Sequence, residues 1–383
     1  MSCCNIESCN GEPQISAVIL DLDGTLLNTE KATKGILKDF LGRYGKVLDS
    51  EKEDKRLGMT HKESSAAIVK DYDLPLTSDQ FSREIMPLYQ ERWPQAKALP
   101  GANRLIMHLH KHGVPFALAS NSIRKHIEAK ISYHQGWNEA FSVIIGRDEV
   151  NSGKPSPDLF LEAAKRMGME ASHCLVIEDS LPGVMAAKAA GMKVVTIPSL
   201  QTQVDHYSIA NSVLHSLLEF RPELWGLPPF EDWVQSALPI EPMYVKGIVR
   251  KGFLCEFEDD GPTALPDQVS GIYFGWAKLG AQGNSKVVVG IGWNHHLSTI
   301  MRIIKPCLID EICEDISDQE MHLLLVGYIR ELRDEVNTLA DLKLYEEDKS
   351  IASAALDLPI FVHHKVTLLS EEASFVGCNS AMA

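Results

Sequence analysis

Asp21 and Asp23 follow an apolar run at positions 18–20 and precede Gly24 and Thr25. A run of Val, Ile and Leu that stops at turn-forming residues predicts a buried β-strand with both carboxylates at its C-terminal end. Open α/β sheets bind their ligands at that end. One carboxylate can attack a phosphorus centre there while the other transfers a proton. The alternative is that the two acids only solvate the end of the strand.

Three further segments have residue types that suit the same chemistry, and they follow in chain order. Ser120 and Asn121 end a second apolar run, where a polar side chain can donate a hydrogen bond to a phosphoryl oxygen as charge develops on it. Lys154 lies in a turn before a predicted helix and can neutralise negative charge. Glu178 and Asp179 end a third apolar run and offer oxygen ligands for a hard cation such as Mg²⁺.

The four segments together resemble the motifs of the haloacid dehalogenase superfamily of phosphohydrolases. The resemblance implies that Asp21 is a nucleophile that forms an aspartyl-phosphate. It also implies that Asp23 is the general acid for the leaving alcohol and then the base for water. The transferring phosphoryl group would be bound by Ser120, Asn121 and Lys154. An acid at position 23 favours a phosphatase or mutase over a dehalogenase, because a halide needs no proton donor.

The same resemblance implies a Mg²⁺ site. Its ligands would be Asp21, the backbone carbonyl of Asp23, and Asp179, with Glu178 supporting the ion directly or through a water. Mg²⁺ takes few protein carboxylates and keeps waters and substrate oxygens. Most of the catalysis would then come from positioning and from electrostatic stabilisation of the phosphoryl group.

The chain has 383 residues, of which 45% are apolar and 23% are charged, and its formal net charge is −15. This length predicts two or three globular domains. The negative charge argues against nucleic-acid or anionic-membrane partners. No apolar run reaches the length of a membrane-spanning helix. Residues 1–14 predict a flexible tail without the basic and apolar regions of a signal peptide, so we expect a cytoplasmic protein.

The elements that must position these residues alternate between strands and helices over residues 15–204. The alternation predicts an α/β fold with a doubly wound parallel sheet, which the resemblance identifies as a Rossmann-like haloacid dehalogenase core. Residues 30–97 interrupt it with helical periodicity, as expected for a C1-type cap that covers the crevice. A loop of this cap resembles the specificity loop of the family, with four candidate residues: Arg56, Gly58, Met59 and Glu63. A solvated helix start is the alternative.

Residues 205–242 contain repeated prolines and predict a linker. Residues 243–365 then change to short strand-like runs, followed by helical segments after Ser317 and by a flexible tail at 366–383. We expect an antiparallel barrel or sandwich with appended helices. The resemblance of this domain to the riboflavin kinase β-barrel rests on three segments: 270–277, 287–294 and 325–330.

The riboflavin kinase-like domain departs from its family where the resemblance places the chemistry. Thr263 matches the Pro-Thr-Ala-Asn motif, but Leu265 replaces its Asn. Lys305 takes the place of the Glu that activates the riboflavin hydroxyl, and a protonated lysine cannot accept a proton. Four acids at positions 256–260 would repel ATP phosphates. These departures predict a domain that has lost kinase activity.

The combined pattern resembles plant proteins that join an FMN hydrolase to a riboflavin kinase. It implies a Mg²⁺-dependent phosphomonoesterase whose substrate is FMN, a small-molecule phosphate ester. Two alternatives stay open. One is a phosphatase for a sugar, glycerol or nucleotide monophosphate, and the other is a flavin-binding or scaffold protein in which hydrolysis is incidental. The sequence also leaves open whether the protein forms a homo-oligomer.

Overall fold

The computed structural model describes residues 14–56, 59–199, 206–256, 265–280, 283–294, 301–309, 318–332 and 342–365. This part of the chain forms two six-stranded sheets. The sheet of the first half is parallel and that of the second half is antiparallel. The predicted α/β core and the predicted antiparallel second domain are therefore confirmed.

The parallel sheet consists of β1 (Ala17–Leu20), β2 (Phe116–Ala119), β3 (Val143–Ile145), β4 (Cys174–Glu178), β5 (Lys193–Thr196) and β6 (Ser212–Val213). Its strand order is β3-β2-β1-β4-β5-β6, so β1 lies between β2 and β4. These three strands are buried at every residue, as expected for a sheet covered on both faces. The residues that follow them meet at one edge of the sheet.

The cap consists of α1 (Thr29–Gly42), α2 (Ser50–Asp54), α3 (His61–Asp71) and α4 (Ser78–Arg92), followed by a 3-10 turn at Trp93–Gln95. These helices pack around an apolar core of their own, in which Phe40 and Phe81 meet edge to face with ring centroids 5.1 Å apart. Capping boxes at Thr60 and Thr77 begin α3 and α4 by satisfying their first free N–H groups. The cap is thus a separate helical unit beside the sheet.

The helices of the core are α5 (Ala102–Lys111), α6 (Arg124–Ile131), α7 (Trp137–Ala140), α8 (Asp158–Met167) and α9 (Leu181–Ala189). Short 3-10 turns occur at Arg147–Glu149, Ala171–His173, Leu217–Glu219 and Pro222–Trp225. The apolar stripe of α5 buries Leu105, Ile106 and Leu109 against the sheet. None of the described helices is long and apolar enough to cross a bilayer.

The segment predicted as a linker, 205–242, adds structure to both domains. Strand β6 extends the parallel sheet beside β5, and Leu217 and Phe220 are buried in the core that contains β1. Arg104 of α5 donates two hydrogen bonds to the Asp232 carboxylate, at 2.6 and 2.8 Å. The sequence pattern did not predict this packing, because the buried residues of the stretch are spaced by turns and follow no period.

The antiparallel sheet consists of β7 (Leu238–Arg250), β8 (Phe253–Glu256), β9 (Gly271–Leu279), β10 (Asn284–Asn294), β11 (Met301–Leu308) and β12 (Gln319–Arg330), in the order β11-β10-β9-β12-β7-β8. Its edge strands β8 and β11 also approach each other, which nearly closes the sheet into the predicted barrel. Helices α10 (Glu346–Ala355) and α11 (Pro359–Val362) cover one face of the sheet through an apolar cluster.

The prediction of helical segments after Ser317 is wrong for residues 319–330, which form β12. This strand lies between β7 and β9 and pairs with both. Its residues from 323 to 328 are all buried, and a uniformly apolar run has no readable period. The helical prediction holds from α10 onward.

Candidate active site

Asp21, Glu178 and Asp179 lie together at the C-terminal edge of the parallel sheet. Asp21 follows β1 and Asp179 follows β4, and the pairing of these two strands brings the acids together. All three side chains are buried, and ligand oxygens from all three lie within 4.8 Å of one another. The Thr25 hydroxyl lies 3.1 Å from Oδ2 of Asp21 and 3.2 Å from Oδ1 of Asp179. Thr25 thus links the first predicted motif, which contains Asp21, to the last, which contains Asp179.

The ammonium group of Lys154 lies between two of these carboxylates. It donates a hydrogen bond to Oδ1 of Asp21 at 2.5 Å and another to Oε1 of Glu178 at 2.6 Å. Burial alone would lower the pKa of Lys154, but the two carboxylates outweigh it and raise that pKa. Lys154 is therefore a permanent cation beside the predicted nucleophile.

Ser120 and Asn121, predicted to bind the phosphoryl group, follow β2 at the same edge of the sheet. Asn121 holds the loop of Lys154, because its Oδ1 accepts a hydrogen bond from Lys154 N at 2.9 Å and its Nδ2 donates to Lys154 O at 3.3 Å. Ser120 is buried, and its Oγ accepts a hydrogen bond from the N–H of Ser122 at 3.1 Å. In this arrangement Asn121 positions the lysine, and Ser120 stays at the strand end where the motif predicts it.

Both carboxylate oxygens of Glu178 have partners. Lys154 donates to Oε1, and Oε2 accepts hydrogen bonds from the N–H of Ser180 at 2.7 Å and from its hydroxyl at 3.0 Å. Gly183 packs so closely that a Cβ atom there would collide with this carboxylate. Glycine is therefore required in the first turn of α9, and Glu178 is held in one orientation.

The charges of this cluster suit a hard divalent cation. Burial raises the pKa of Asp21 to about 7, with Lys154 opposing the shift and Glu178 adding to it. Burial, Glu178 and Asp21 likewise raise the pKa of Asp179. Bound protons reduce the repulsion between the carboxylates. A hard divalent cation, which prefers oxygen ligands, would reduce it as well. The residues present therefore fit a metal site.

Asp23, the second predicted catalytic residue, accepts hydrogen bonds from three side chains that the sequence prediction missed. Lys130 of α6 donates to Oδ1 at 2.7 Å and to Oδ2 at 2.8 Å. The hydroxyls of Thr29 and Ser122 donate at 2.8 and 2.9 Å. Burial opposes ionisation of Asp23, but Lys130 and the hydroxyls outweigh it and lower the pKa of the carboxyl. Asp23 is therefore held as a carboxylate.

The burial of Lys130 could have been inferred from its place in the sequence. It lies three positions after Ile127 and directly before Ile131, and all three residues are buried on α6. A lysine inside an apolar stripe is expected to pair with an acid, because a buried charge needs a partner. The cap covers this pair: Lys130 Nζ lies 5.3 Å from the centre of the Trp93 ring, which in turn lies 5.0 Å from the ring of His126.

The candidate substrate residues of the cap loop make contacts within the cap. Arg56 is buried, and its guanidinium lies 3.9 Å from the Asp71 carboxylate. Glu63 accepts a hydrogen bond from the N–H group that begins α3. Met59 is 41% exposed, and Gly58 lies outside the described residues. The Glu63 contact is typical of a helix start, as in the alternative interpretation, whereas the buried Arg56 is not solvated.

Two of the three kinase positions, Leu265 and Lys305, are described, and Thr263 lies outside the described residues. Lys305 of β11 donates a hydrogen bond from Nζ to the Leu342 carbonyl at 3.0 Å. The side chain of Leu265 is buried in the core of the sheet, and its carbonyl accepts a hydrogen bond from Arg302 at 3.0 Å. In the described structure Lys305 is thus a hydrogen-bond donor.

Comparisons with known proteins match both halves of the chain. Residues 18–197 match the family model of haloacid dehalogenase-like hydrolases, and residues 240–356 match that of riboflavin kinase. The bifunctional riboflavin kinase/FMN phosphatase of Arabidopsis thaliana is 48% identical over 361 residues, which cover 91% of this chain and 95% of that protein.

Other relatives match a smaller share of the chain. The (DL)-glycerol-3-phosphatase 2 of Arabidopsis thaliana is 38% identical over 58% of this chain and 95% of its own length. A probable pseudouridine-5'-phosphatase of Drosophila melanogaster is 37% identical over 57% of this chain and 97% of its own length. The chain therefore belongs to the family of two-domain proteins in which a phosphoric monoester hydrolase of the haloacid dehalogenase type is joined to a riboflavin kinase domain.

Proposed function

We propose that the first domain hydrolyses FMN to riboflavin and phosphate in a reaction that depends on Mg²⁺. The observation that carries the proposal is the buried cluster of Asp21, Lys154 and Asp179, with Asp23 at the same edge of the sheet. The choice of FMN rests on similarity along 91% of the chain to a protein named as an FMN phosphatase.

Asp21 supplies the nucleophile of the first step. A carboxylate oxygen forms a bond to phosphorus, and the bond from phosphorus to the ester oxygen breaks. Lys154 offsets the negative charge that gathers around the phosphoryl group. Asp23 passes a proton to the leaving oxygen. That proton comes from the Lys130 ammonium, whose Nζ lies 2.7 Å from Oδ1 of Asp23. The products of this step are riboflavin and an aspartyl-phosphate.

Water completes the reaction in the second step. The Asp23 carboxylate accepts a proton from water, the water oxygen forms a bond to phosphorus, and the bond from phosphorus to Asp21 breaks. The proton returns to the pair of Asp23 and Lys130, so the cycle consumes one water and releases one alcohol and one phosphate. The lowered pKa of Asp23 keeps its carboxyl deprotonated between the two steps, so the proton needed in the first step comes from the Lys130 ammonium beside it.

Asp21, Asp179 and the backbone carbonyl of Asp23 would hold Mg²⁺, and Glu178 would support it. The ion would supply positive charge that stabilises phosphoryl oxygens. The Thr25 hydroxyl, between Asp21 and Asp179, keeps these two carboxylates in place.

The test is phosphate release from FMN, glycerol 3-phosphate and a nucleotide monophosphate with Mg²⁺, in the wild type and in Asp21→Asn. We expect kcat/KM for FMN to exceed that for the other esters at least about tenfold. A higher value for glycerol 3-phosphate would favour the second candidate, a phosphatase for a smaller ester, which the glycerol-3-phosphatase relative supports. No release from any ester would contradict the hydrolase mechanism.

We further propose that the second domain does not phosphorylate riboflavin. A base must accept the proton of the riboflavin hydroxyl, and Lys305 donates to a backbone carbonyl instead. Loss of a general base typically lowers a rate about 10²–10⁴-fold. The assay follows FMN formation from riboflavin and MgATP in Asp21→Asn, so that the product is not hydrolysed. Rapid FMN formation would contradict the proposal, and a gain in Lys305→Glu over Asp21→Asn alone would identify the missing base.

A further inference from the structure

A segment of the second domain, residues 265–270, contacts the loop that carries the two catalytic aspartates; we name it the docking segment. Gln268 in its middle is 6% exposed, and its Nε2 donates a hydrogen bond to the Gly24 carbonyl at 2.9 Å. Gly24 directly follows Asp23 in the chain. The second domain therefore reaches into the catalytic loop of the first.

The Gly24 carbonyl belongs to the peptide unit that leads into Thr25. The Thr25 hydroxyl lies within hydrogen-bond distance of both Asp21 and Asp179. Gly24 has φ near 87°, and its N–H donates to the Leu27 carbonyl at 2.9 Å. Rotation of the peptide after Gly24 would displace Thr25 from both carboxylates, and the hydrogen bond from the docking segment opposes that rotation.

The docking segment is held in turn by the barrel. Arg302 of β11 donates to the carbonyls of Leu265 and Pro266 at 3.0 and 2.9 Å, and to Oδ1 of Asp267 at 3.0 Å. Trp293 Nε1 donates to the Asp267 carbonyl at 3.1 Å. These hydrogen bonds attach the backbone of the docking segment to strands β10 and β11.

A second contact joins the docking segment to the cap. Lys31 Nζ, on α1, lies 3.1 Å from Oδ1 of Asp267. Because these side chains are 25% and 28% exposed, solvent weakens the ion pair relative to a buried contact. The segment therefore contacts both the catalytic loop and the first helix of the cap, and Gln268 makes the more protected of the two contacts.

We infer that Gln268 is a positioning residue for the phosphatase site, supplied by the second domain. It acts through the peptide between Gly24 and Thr25, which fixes the Thr25 hydroxyl against Asp21 and Asp179. The reaction that it serves is the one given by the proposed function. The second domain then contributes to hydrolysis without any kinase activity of its own.

The test compares full-length Gln268→Met, Gln268→Glu and the control Gln319→Ala, whose residue is exposed at the start of β12. Methionine keeps the length of the side chain without a donor, and glutamate places an acceptor against the Gly24 carbonyl. With p-nitrophenyl phosphate and Mg²⁺ we expect kcat to fall about tenfold in Gln268→Met. We expect a larger fall in Gln268→Glu, no change in Gln319→Ala, and KM within twofold throughout.

Amide hydrogen exchange of the same proteins separates positioning from general destabilisation. We expect faster exchange in residues 22–29 of Gln268→Met, with unchanged exchange in β9, β10 and β12. Wild-type kcat with unchanged loop exchange would overturn the inference, and so would a fall in kcat accompanied by faster exchange throughout the second domain. If the wild type hydrolyses no ester, the proposed function fails, and the loop exchange still decides whether Gln268 holds the loop.

Discussion

The ammonium group of Lys130 lies 2.7 Å from Oδ1 and 2.8 Å from Oδ2 of Asp23, so one lysine neutralises both oxygens of this carboxylate. Lys154 contacts Asp21 and Glu178 in a similar way. Each of the two aspartates proposed as catalytic therefore has a lysine of its own. Lys130 comes from helix α6 and Lys154 from the turn before α8, so the two charges can be removed independently.

Replacement of Lys130 tests its share in proton transfer. We expect Lys130→Met to lower kcat for an unactivated ester about 10²-fold, because Asp23 loses its proton source and its orientation. The loss should be smaller for p-nitrophenyl phosphate, whose leaving group needs no proton. Lys165→Met is the control, since the Lys165 side chain is 78% exposed on α8. Equal effects on the two esters would contradict the proton-transfer role.

Asp21→Asn tests the nucleophile. The amide is nearly isosteric with the carboxylate but cannot attack phosphorus, and Lys154 keeps its contact with Glu178. We expect turnover to fall about 10³-fold or more while the circular dichroism spectrum stays that of the wild type. Phosphate release within tenfold of the wild type, in a preparation free of contaminating phosphatase, would exclude Asp21 as the nucleophile.

The raised pKa of Asp21 predicts how stability depends on pH and metal. Its folded-state pKa, about 7, lies above its ordinary value of 3.8. The folded state thus holds a proton that the unfolded state has released, so the free energy of unfolding falls as pH rises from about 4 to about 7. We expect Tm in chelator to fall over this range, and less so in Asp21→Asn.

Mg²⁺ should counteract that fall, because metal ligands bind in their deprotonated form. We expect added Mg²⁺ to raise Tm more at pH 8 than at pH 6 in thermal unfolding of the wild type. An equal effect at both pH values would show that the ion binds away from Asp21.

Gly24 allows a test of the packing around Asp179, one of the proposed metal ligands. Its φ is 87°, and a Cβ atom there would collide with the Asp179 carboxylate. Gly45 also has positive φ, 68°, but has open space around it. We expect Gly45→Ala to cost only the backbone strain, about 1 kcal/mol, with kcat unchanged. Gly24→Ala should lower stability further and abolish phosphate release, and similar kcat values for the two variants would contradict this packing.

The positions of Asp21, Ser120 and Asp179 could be predicted because each ends an apolar strand, and parallel strands carry such residues to one edge of the sheet. Strand β12 was instead predicted as helix, because its apolar run is followed by Arg330 and Glu331 and not by turn-forming residues like those that end β1. The packing of Leu217 and Phe220 was also beyond prediction, because their burial depends on distant residues of the core.

The sequence by itself therefore determined the two fold types and the chemical character of the site, since strand runs and motif residues are local properties. Only the tertiary structure decided what surrounds each acid. It assigned Lys130 to Asp23 across 107 positions of the chain and Gln268 to Gly24 across 244. Such pairs depend on how helices and domains pack, and a hydrogen bond between distant residues leaves no periodic trace in one sequence.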